Sequence, residues 1–296
     1  MNRDVLLPGL RLRFREFGGD PLLRVWDWKL DPWTVSPDAP GSDGRTDLHI
    51  ASTASPVEEP GPLPLLVREK IGFFERRVFH LPGSGTLWDF VRTAEERVYL
   101  RFRVSADWDR VTLLTDATGT QGSAALEHLG QIVPGACLKQ GVLTFHGALV
   151  EYGGQAFAVC AGSGVGKTTH ARLWRDCKRA LILNGDRAVC RETDGVWTAY
   201  GTPWSGTSGE QINRSAPLRA LVVLERGEIN EATRLTLPET LPAMLPHLLY
   251  PGWDRELTDR AMERLDSLLC AVPVICLRCR PDAEAVDVLC RALEAL

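Results

Sequence analysis

No apolar run in this chain approaches the roughly 20 residues that a bilayer-spanning helix needs, so no membrane partner is expected. A basic excess is also missing: 34 Lys and Arg stand against 38 Asp and Glu, for a net charge of -4. Non-specific nucleic-acid binding relies on clustered cations, so no nucleic-acid partner is expected either. The short basic stretch Arg11-Leu12-Arg13-Phe14-Arg15 reads as the solvated face of a strand. Met1 to Phe17 hold only Val5-Leu6-Leu7 before Pro8, too little for the core of a secretory signal, and a cytoplasmic location is expected. Internal repeats and low-complexity tracts are absent. Paired cysteine clusters are lacking too. The eight cysteines are spread out, and the single C-x-x-C, Cys276 to Cys279, falls in a strand-like stretch where residues three apart face opposite sides. They read as reduced, packed thiols rather than as metal ligands or disulfides.

What is present is globular. With 296 residues, 44% hydrophobic and 24% charged, the chain has material for two domains with real cores. The most informative stretch is Ala161-Gly162-Ser163-Gly164-Val165-Gly166-Lys167-Thr168-Thr169. Its spacing is that of a phosphate-binding loop, G-x-x-x-x-G-K-[ST], with Ala161 in place of the first glycine. The apolar lead-in Gln155 to Cys160 reads as a buried strand and Thr168 to Cys177 as a helix. Glycines let the successive amides of Gly164, Val165, Gly166 and Lys167 turn toward phosphate oxygens, and the helix start adds its own unpaired donors. In this reading Lys167 reaches the β and γ phosphates, Thr168 is a ligand of Mg²⁺, and Thr169 lies near the α phosphate. The dinucleotide pattern G-x-G-x-x-G fails, because Lys167 occupies the position of its third glycine.

A phosphate cradle binds nucleotide without choosing a reaction. The second group singled out is Asp186, in Asn184-Gly185-Asp186-Arg187 at the end of the apolar stretch Ala180 to Leu183. There a carboxylate could ligate Mg²⁺, take a proton from an attacking hydroxyl, or form an Asx turn ahead of a hairpin. His146 precedes Gly147 on the neighbouring strand and is either functional or a hydrogen-bonded core residue. Arg187 and Arg214 are the candidate phosphate or substrate contacts, each equally readable as a surface ion-pair residue. Gly201 to Gly209 is glycine-rich and polar and reads as a mobile loop.

The boundary between an N-terminal and a C-terminal domain is placed near Gly135, giving domains of 1–135 and 136–296. The first domain reads as strand-rich α+β, suited to recognising a substrate or partner, with strands at Leu22 to Trp28 and Arg97 to Val104. Ser36 to Pro64, holding Asp38-Ala39-Pro40-Gly41 and Pro60-Gly61, reads as a long loop with little core. A short helix, Ser123 to Ile132, ends before Pro134-Gly135. The second domain continues with strands at 143–150, 155–160, 180–183, 188–192, 196–200, 218–224 and 273–279. Helical spacing marks Glu256 to Ala271 and the tail from Val286 to Leu296.

Three segments together resemble the phosphate-loop domain of HPr kinase/phosphorylase, itself similar to the core of phosphoenolpyruvate carboxykinase. They are His146-Gly147-Ala148-Leu149-Val150-Glu151, Gly162 to Thr168, and Asn184-Gly185-Asp186-Arg187. The resemblance covers residues 136 to 230 and implies an α/β domain with a mixed sheet. It places the catalytic aspartate on Asp186, the conserved histidine on His146, and the loop lysine and metal hydroxyl on Lys167 and Thr168. Gly185 departs from the family, which has a second aspartate there. The chain as a whole is similar to HPr-kinase-like tailoring kinases of ribosomally made peptides, and nothing before Gly135 looks like the usual HPr kinase N-terminal domain. The expectation is an ATP- and Mg²⁺-dependent kinase acting on a hydroxyl, serine in a peptide or protein. Its rivals are a nucleotide-binding regulatory or assembly module with little catalysis, and a small-molecule kinase. Homo-oligomerisation stays open.

Overall fold

Leu10, Leu12 and Phe14 alternate with Arg11, Arg13 and Arg15, and this period of two builds a strand with one apolar face. The computed structural model describes residues 3–15, 21–36, 46–54, 61–115 and 122–296. Two compact units divide the chain, Met1–Ala136 and Cys137–Leu296. The fold is mixed α/β with two mixed sheets.

The first unit contains β1 (Arg3–Leu7), β2 (Leu10–Arg15), α1 (Pro21–Leu30), β3 (Thr34–Val35), β4 (Thr46–Ala54) and β5 (Leu65–Ile71). It continues with β6 (Phe74–Leu81), β7 (Gly85–Arg92), β8 (Arg97–Val104), β9 (Arg110–Thr115) and α2 (Gly122–Lys139), whose last turn crosses into the second unit. The sheet order is β3-β1-β2-β4-β9-β8-β7-β6-β5. The pairs β2–β4 and β4–β9 are parallel and the others antiparallel. One face carries Phe14, Phe90 and Phe102, and helices lie on it: Trp26 of α1 meets Phe14 edge-on at 5.8 Å, and His128 of α2 stacks on Phe90 at 3.8 Å.

Three expectations are corrected here. Leu22 to Trp28 is helical, not a strand, and Trp26 and Leu30, one turn apart, are both buried. Ser36 to Pro64 is not coreless loop: β4 lies between β2 and β9 and buries Leu48 and Ile50. The turn sequence 38–41 and Pro60 lie outside the described residues. The helix expected to stop at Ile132 runs through Pro134 to Lys139. An interior proline costs about 3 kcal/mol. Burial of Ile132, Val133 and Leu138 at about 1.5–3 kcal/mol each outweighs it. Gly135 is needed because a Cβ there would lie 2.2 Å from the Trp108 ring.

The second unit comprises β10 (Val142–Tyr152), β11 (Gln155–Cys160), α3 (Lys167–Lys178), β12 (Leu181–Asn184), β13 (Arg187–Thr193), β14 (Val196–Tyr200) and β15 (Ser215–Arg226). It ends with β16 (Glu231–Arg234), α4 (Leu237–Met244), α5 (Arg255–Ala271), β17 (Val274–Cys279) and α6 (Ala283–Glu294). Two long strands are shared between pairings. The first half of β10 pairs with β13 and its second half with β11 and β12. The start of β15 pairs with β14, and the remainder runs parallel to β11 and β17. Trp174 of α3 and Val286 and Leu289 of α6 pack with Phe157, Val159, Val222 and Leu277 into one core. Cys276 and Cys279 both lie on β17; Cys279 turns into that core while Cys276 is half-buried. Of the other thiols Cys177 and Cys270 are exposed, so not every cysteine is packed. No helix among the described residues is long and apolar enough to cross a membrane.

Candidate functional site

Strand β11 is buried along Ala156 to Cys160 and delivers the chain to Ala161 at its carboxyl edge. The turn that follows depends on glycine: Gly164 has φ 76° and Gly166 φ 132°, backbone that L side chains rarely adopt. Helix α3 starts at once, with Gly166 as N-cap, no side-chain cap and no acid in the first turn. Its first amides therefore stay available to an anion, at the positive end of the helix dipole. The Lys167 ammonium is buried and donates to the carbonyls of Ala161 at 2.9 Å and Gly162 at 3.3 Å. Burial lowers its pKa, while the Asp186 carboxylate works in the opposite direction. Thr168 is half-buried; Ser163 and Thr169 are exposed.

Both β11 and β12 run antiparallel to β10, so they are parallel to each other and end at the same edge. Crevices at the carboxyl ends of parallel strands are where α/β sheets hold ligands. Asp186 emerges there, two residues past β12. Asn184, fully buried, fixes the turn: its Oδ1 accepts from the amides of Asp186 at 2.9 Å and Arg187 at 2.7 Å. The Asx turn here is made by Asn184, not by the Asp186 carboxylate. Gly147 donates its amide to the Asp186 carbonyl at 3.0 Å, which pins the acidic turn to the His146-Gly147 pair. Gly147 cannot carry a side chain here, since its Cβ would meet Cys160 Sγ at 2.8 Å. The Cys160 thiol is inert, its pKa pushed up to about 12 by burial.

The Asp186 carboxylate faces two partners: His146 Nδ1 lies 3.5 Å from Oδ1, and Arg187 Nε lies 3.1 Å from Oδ2. Burial and then the Lys167 charge lower the His146 pKa, and Asp186 opposes them. Lys167, His146, Asp186 and Arg187 therefore share one sheet edge. Arg214 does not join them. Its Nε binds Glu151 Oε2 at 2.6 Å, four residues beyond Gly147 along β10, which is roughly 13 Å at strand rise. Arg214 is thus held in an ion pair away from the acidic turn, the second of the two readings open for it.

The segment Gly201 to Gly209 is also different from expectation. Thr202, Trp204 and Ser205 are buried, and Asn184 Nδ2 donates to the Thr202 carbonyl at 2.9 Å. Residues Gly206–Ser208 form a 3-10 turn pressed against the acid, so that a Cβ on Gly206 would lie 2.7 Å from Asp186 Cγ. It packs as a wall beside Asp186 rather than standing off as an open loop: the Thr202 carbonyl and hydroxyl both accept from Asn184 Nδ2, and Trp204 is buried.

Three further residues reach the site without a motif to announce them. His247 is brought beside His146 by a bridge between Phe145 and Leu248 and by the Leu249 amide donating to the Thr144 carbonyl at 2.8 Å. Burial and the Lys167 charge lower its pKa. Arg226, at the end of β15, donates to the carbonyls of Gly164 at 2.5 Å and Val165 at 3.4 Å and so fastens the loop from outside. His170 lies 3% exposed in the first turns of α3, and its Nε2 accepts from Trp174 Nε1 at 3.1 Å. That bond leaves the proton on Nδ1, a buried donor with no hydrogen-bond partner among the described residues. His170 lines a cavity of about 370 Å³ beside the loop, together with Gly166, Thr169, Leu224, Arg226 and Arg280. The only sequence signal for these three is their position next to elements that the loop organises.

No protein-family model matches this chain, and no curated protein matches it. Among solved structures the chain is similar to the Hpr(Ser) kinase/phosphatase from Coxiella burnetii, at 10% sequence identity and a TM-score of 0.32. That match covers 51% of this chain and 96% of the other. A superposition so loose carries no information on activity.

Proposed function

We infer that the second unit is an ATP- and Mg²⁺-dependent kinase that phosphorylates a hydroxyl, serine in a peptide or protein. The observation that carries this reading is the meeting of Lys167, Asp186 and His146 at the carboxyl edge shared by β11 and β12. The site fits a nucleotide: α3 offers uncapped amides, and beside the loop Thr169, His170 and Arg226 line a cavity of about 370 Å³, within the range of ligand pockets. Among the described residues no three His, Cys, Asp or Glu side chains could hold a metal by themselves. That suits Mg²⁺, which is commonly held by one or two carboxylates together with substrate phosphates. Thr168 and Asp186 would hold it. Bound there, it would neutralise charge on the phosphates.

The chain's own groups supply the rest. Lys167 exchanges its two loop carbonyls for phosphate oxygens. Asp186 takes the proton of the attacking hydroxyl, as its position opposite the loop allows. Arg187, held 3.1 Å from that carboxylate, adds positive charge where phosphate charge develops. With ATP, Mg²⁺ and serine-containing peptides, label should pass to the acceptor, and Lys167→Ala and Asp186→Asn should each abolish transfer. Transfer surviving both changes contradicts the mechanism.

One observation favours a second reading, a nucleotide-binding module with little catalysis. Both Asp186 oxygens already have neighbours, and Gly185 supplies no second acid. Nucleotide binding without turnover, whatever the acceptor, would favour it.

A further inference from the structure

The side of the first unit's sheet away from Phe14 and Phe102 is rich in arginine, in a chain whose net charge is -4, and it is buried in part, at Asp4, Arg11, Asp89 and Arg101. Register fixes the layout. Arg13 lies opposite His49, His49 opposite Arg110, and Arg103 opposite Thr112, with no irregularity in those pairings. Directly paired residues share a face, so these side chains stand together on the side away from Phe14, Phe102 and Leu113. Some of the cations on this face are matched. Asp4 is fully buried with Arg15 NH2 at 2.6 Å and Arg11 Nε at 3.5 Å, Arg13 Nε binds Asp47 at 2.7 Å, and Arg101 Nε binds Asp89 at 2.5 Å. Arg103 and Arg110 are exposed and make no side-chain ion pair or hydrogen bond with any described residue. His49 beside them is exposed too.

Their spacing is specific. Arg110 is the diagonal neighbour of Arg103 across the antiparallel β8–β9 pair, which puts their Cα atoms about 7–8 Å apart. Ala51 and Thr112, paired and half-buried, form a low floor next to them. In an extended peptide, side chains at alternate positions lie on one side about 6.6–6.8 Å apart. Two carboxylates so spaced would each meet one guanidinium, in the forked geometry that arginine offers a carboxylate. A polyanionic nucleic-acid backbone is the poorer match, because Asp4, Asp47 and Asp89 already neutralise the flanking cations.

We propose that this face docks an extended acidic segment of a partner peptide or protein, carrying Asp or Glu at alternate positions, on Arg103 and Arg110. The inference does not depend on the kinase reading.

The test uses the full chain and fluorescence anisotropy with three labelled peptides: Glu at alternate positions, the same composition with the Glu residues contiguous, and a Lys analogue. The alternating peptide should bind at least fivefold tighter than either of the others. Raising NaCl from about 50 to 500 mM should weaken it, as expected of exposed charge pairs. The double variant Arg103→Gln, Arg110→Gln should lose at least tenfold in affinity with an unchanged thermal midpoint. Equal binding of alternating and contiguous peptides overturns the proposal on the unmodified chain alone. So does binding that the double variant leaves intact, or tighter binding of a single-stranded oligonucleotide than of the alternating peptide.

Discussion

Gly185 and Ser208 are in steric conflict over any side chain at position 185: a Cβ there would lie 2.1 Å from Ser208 Oγ and 2.6 Å from Ser208 Cβ. Ser208 cannot easily yield, because its hydroxyl donates to the Ser205 carbonyl at 2.6 Å and accepts from the Glu210 amide at 3.2 Å. The turn Gly206–Ser208 thus occupies the space that an acid next to Asp186 would need.

Introducing that acid should therefore damage the protein. Gly185→Asp is expected to lower stability by about 1–3 kcal/mol, the usual cost of overpacking, and to reduce phosphoryl transfer. Adding Ser208→Gly should restore part of both. Urea unfolding and initial rates on the single and double variants measure the coupling.

The two positive-φ glycines between β11 and α3 should respond unequally if that loop holds the triphosphate. At φ 76° Gly164 lies close to the left-handed region, where a Cβ costs roughly 1–2 kcal/mol. Its Cβ position is open, with no atom within 4 Å. At φ 132° Gly166 lies outside that region and a side chain cannot follow. Gly164→Ala should weaken ATP binding less than tenfold and Gly166→Ala by more than a hundredfold, as measured by calorimetry.

The two arginines should separate cleanly. Arg187, 3.1 Å from the Asp186 carboxylate, should matter for turnover, with Arg187→Ala lowering kcat at least tenfold. Arg214→Ala, which frees Glu151 far along β10, should leave kcat within a factor of two and act on stability only.

The strand–turn–helix passage from β11 to α3 and the turn that holds Asp186 were legible because each is a local device: glycines at fixed spacing, or an asparagine two residues before the acid. Neither depends on distant chain. Helix α1 was not legible in that way, since Leu23-Arg24-Val25 and Trp26-Asp27-Trp28 each alternate over three residues as a strand does, while the docking of Trp26 on Phe14 belongs to a helix. Strand β4 has a clear alternation in Asp47-Leu48-His49-Ile50, hidden by the proline- and glycine-rich sequence on either side. Helix α2 runs on past Pro134 because of packing that single-residue propensity does not contain. His247 reaches His146 through one bridge across a separation that no spacing rule describes.

Stability should depend on pH through two buried histidines. Burial lowers the pKa of His170 to about 4 and that of His128 to about 3. Both groups are neutral in the folded chain and take up protons near pH 6.5 when unfolded. Their contribution is therefore complete above about pH 6.5 and is lost as pH falls toward the folded values. For His170 it is on the order of 3 kcal/mol. Urea unfolding of the second unit between pH 8 and 4 should show this loss, and His170→Phe should flatten it.

The most direct test is a crystal structure with Mg²⁺ and a non-hydrolysable ATP analogue. The triphosphate should lie on the amides of Gly164 to Lys167, with Lys167 Nζ moved from the Ala161 carbonyl onto phosphate oxygen and Asp186 facing the terminal phosphorus. A nucleotide bound elsewhere, or an Asp186 carboxylate directed into bulk solvent, would contradict the account.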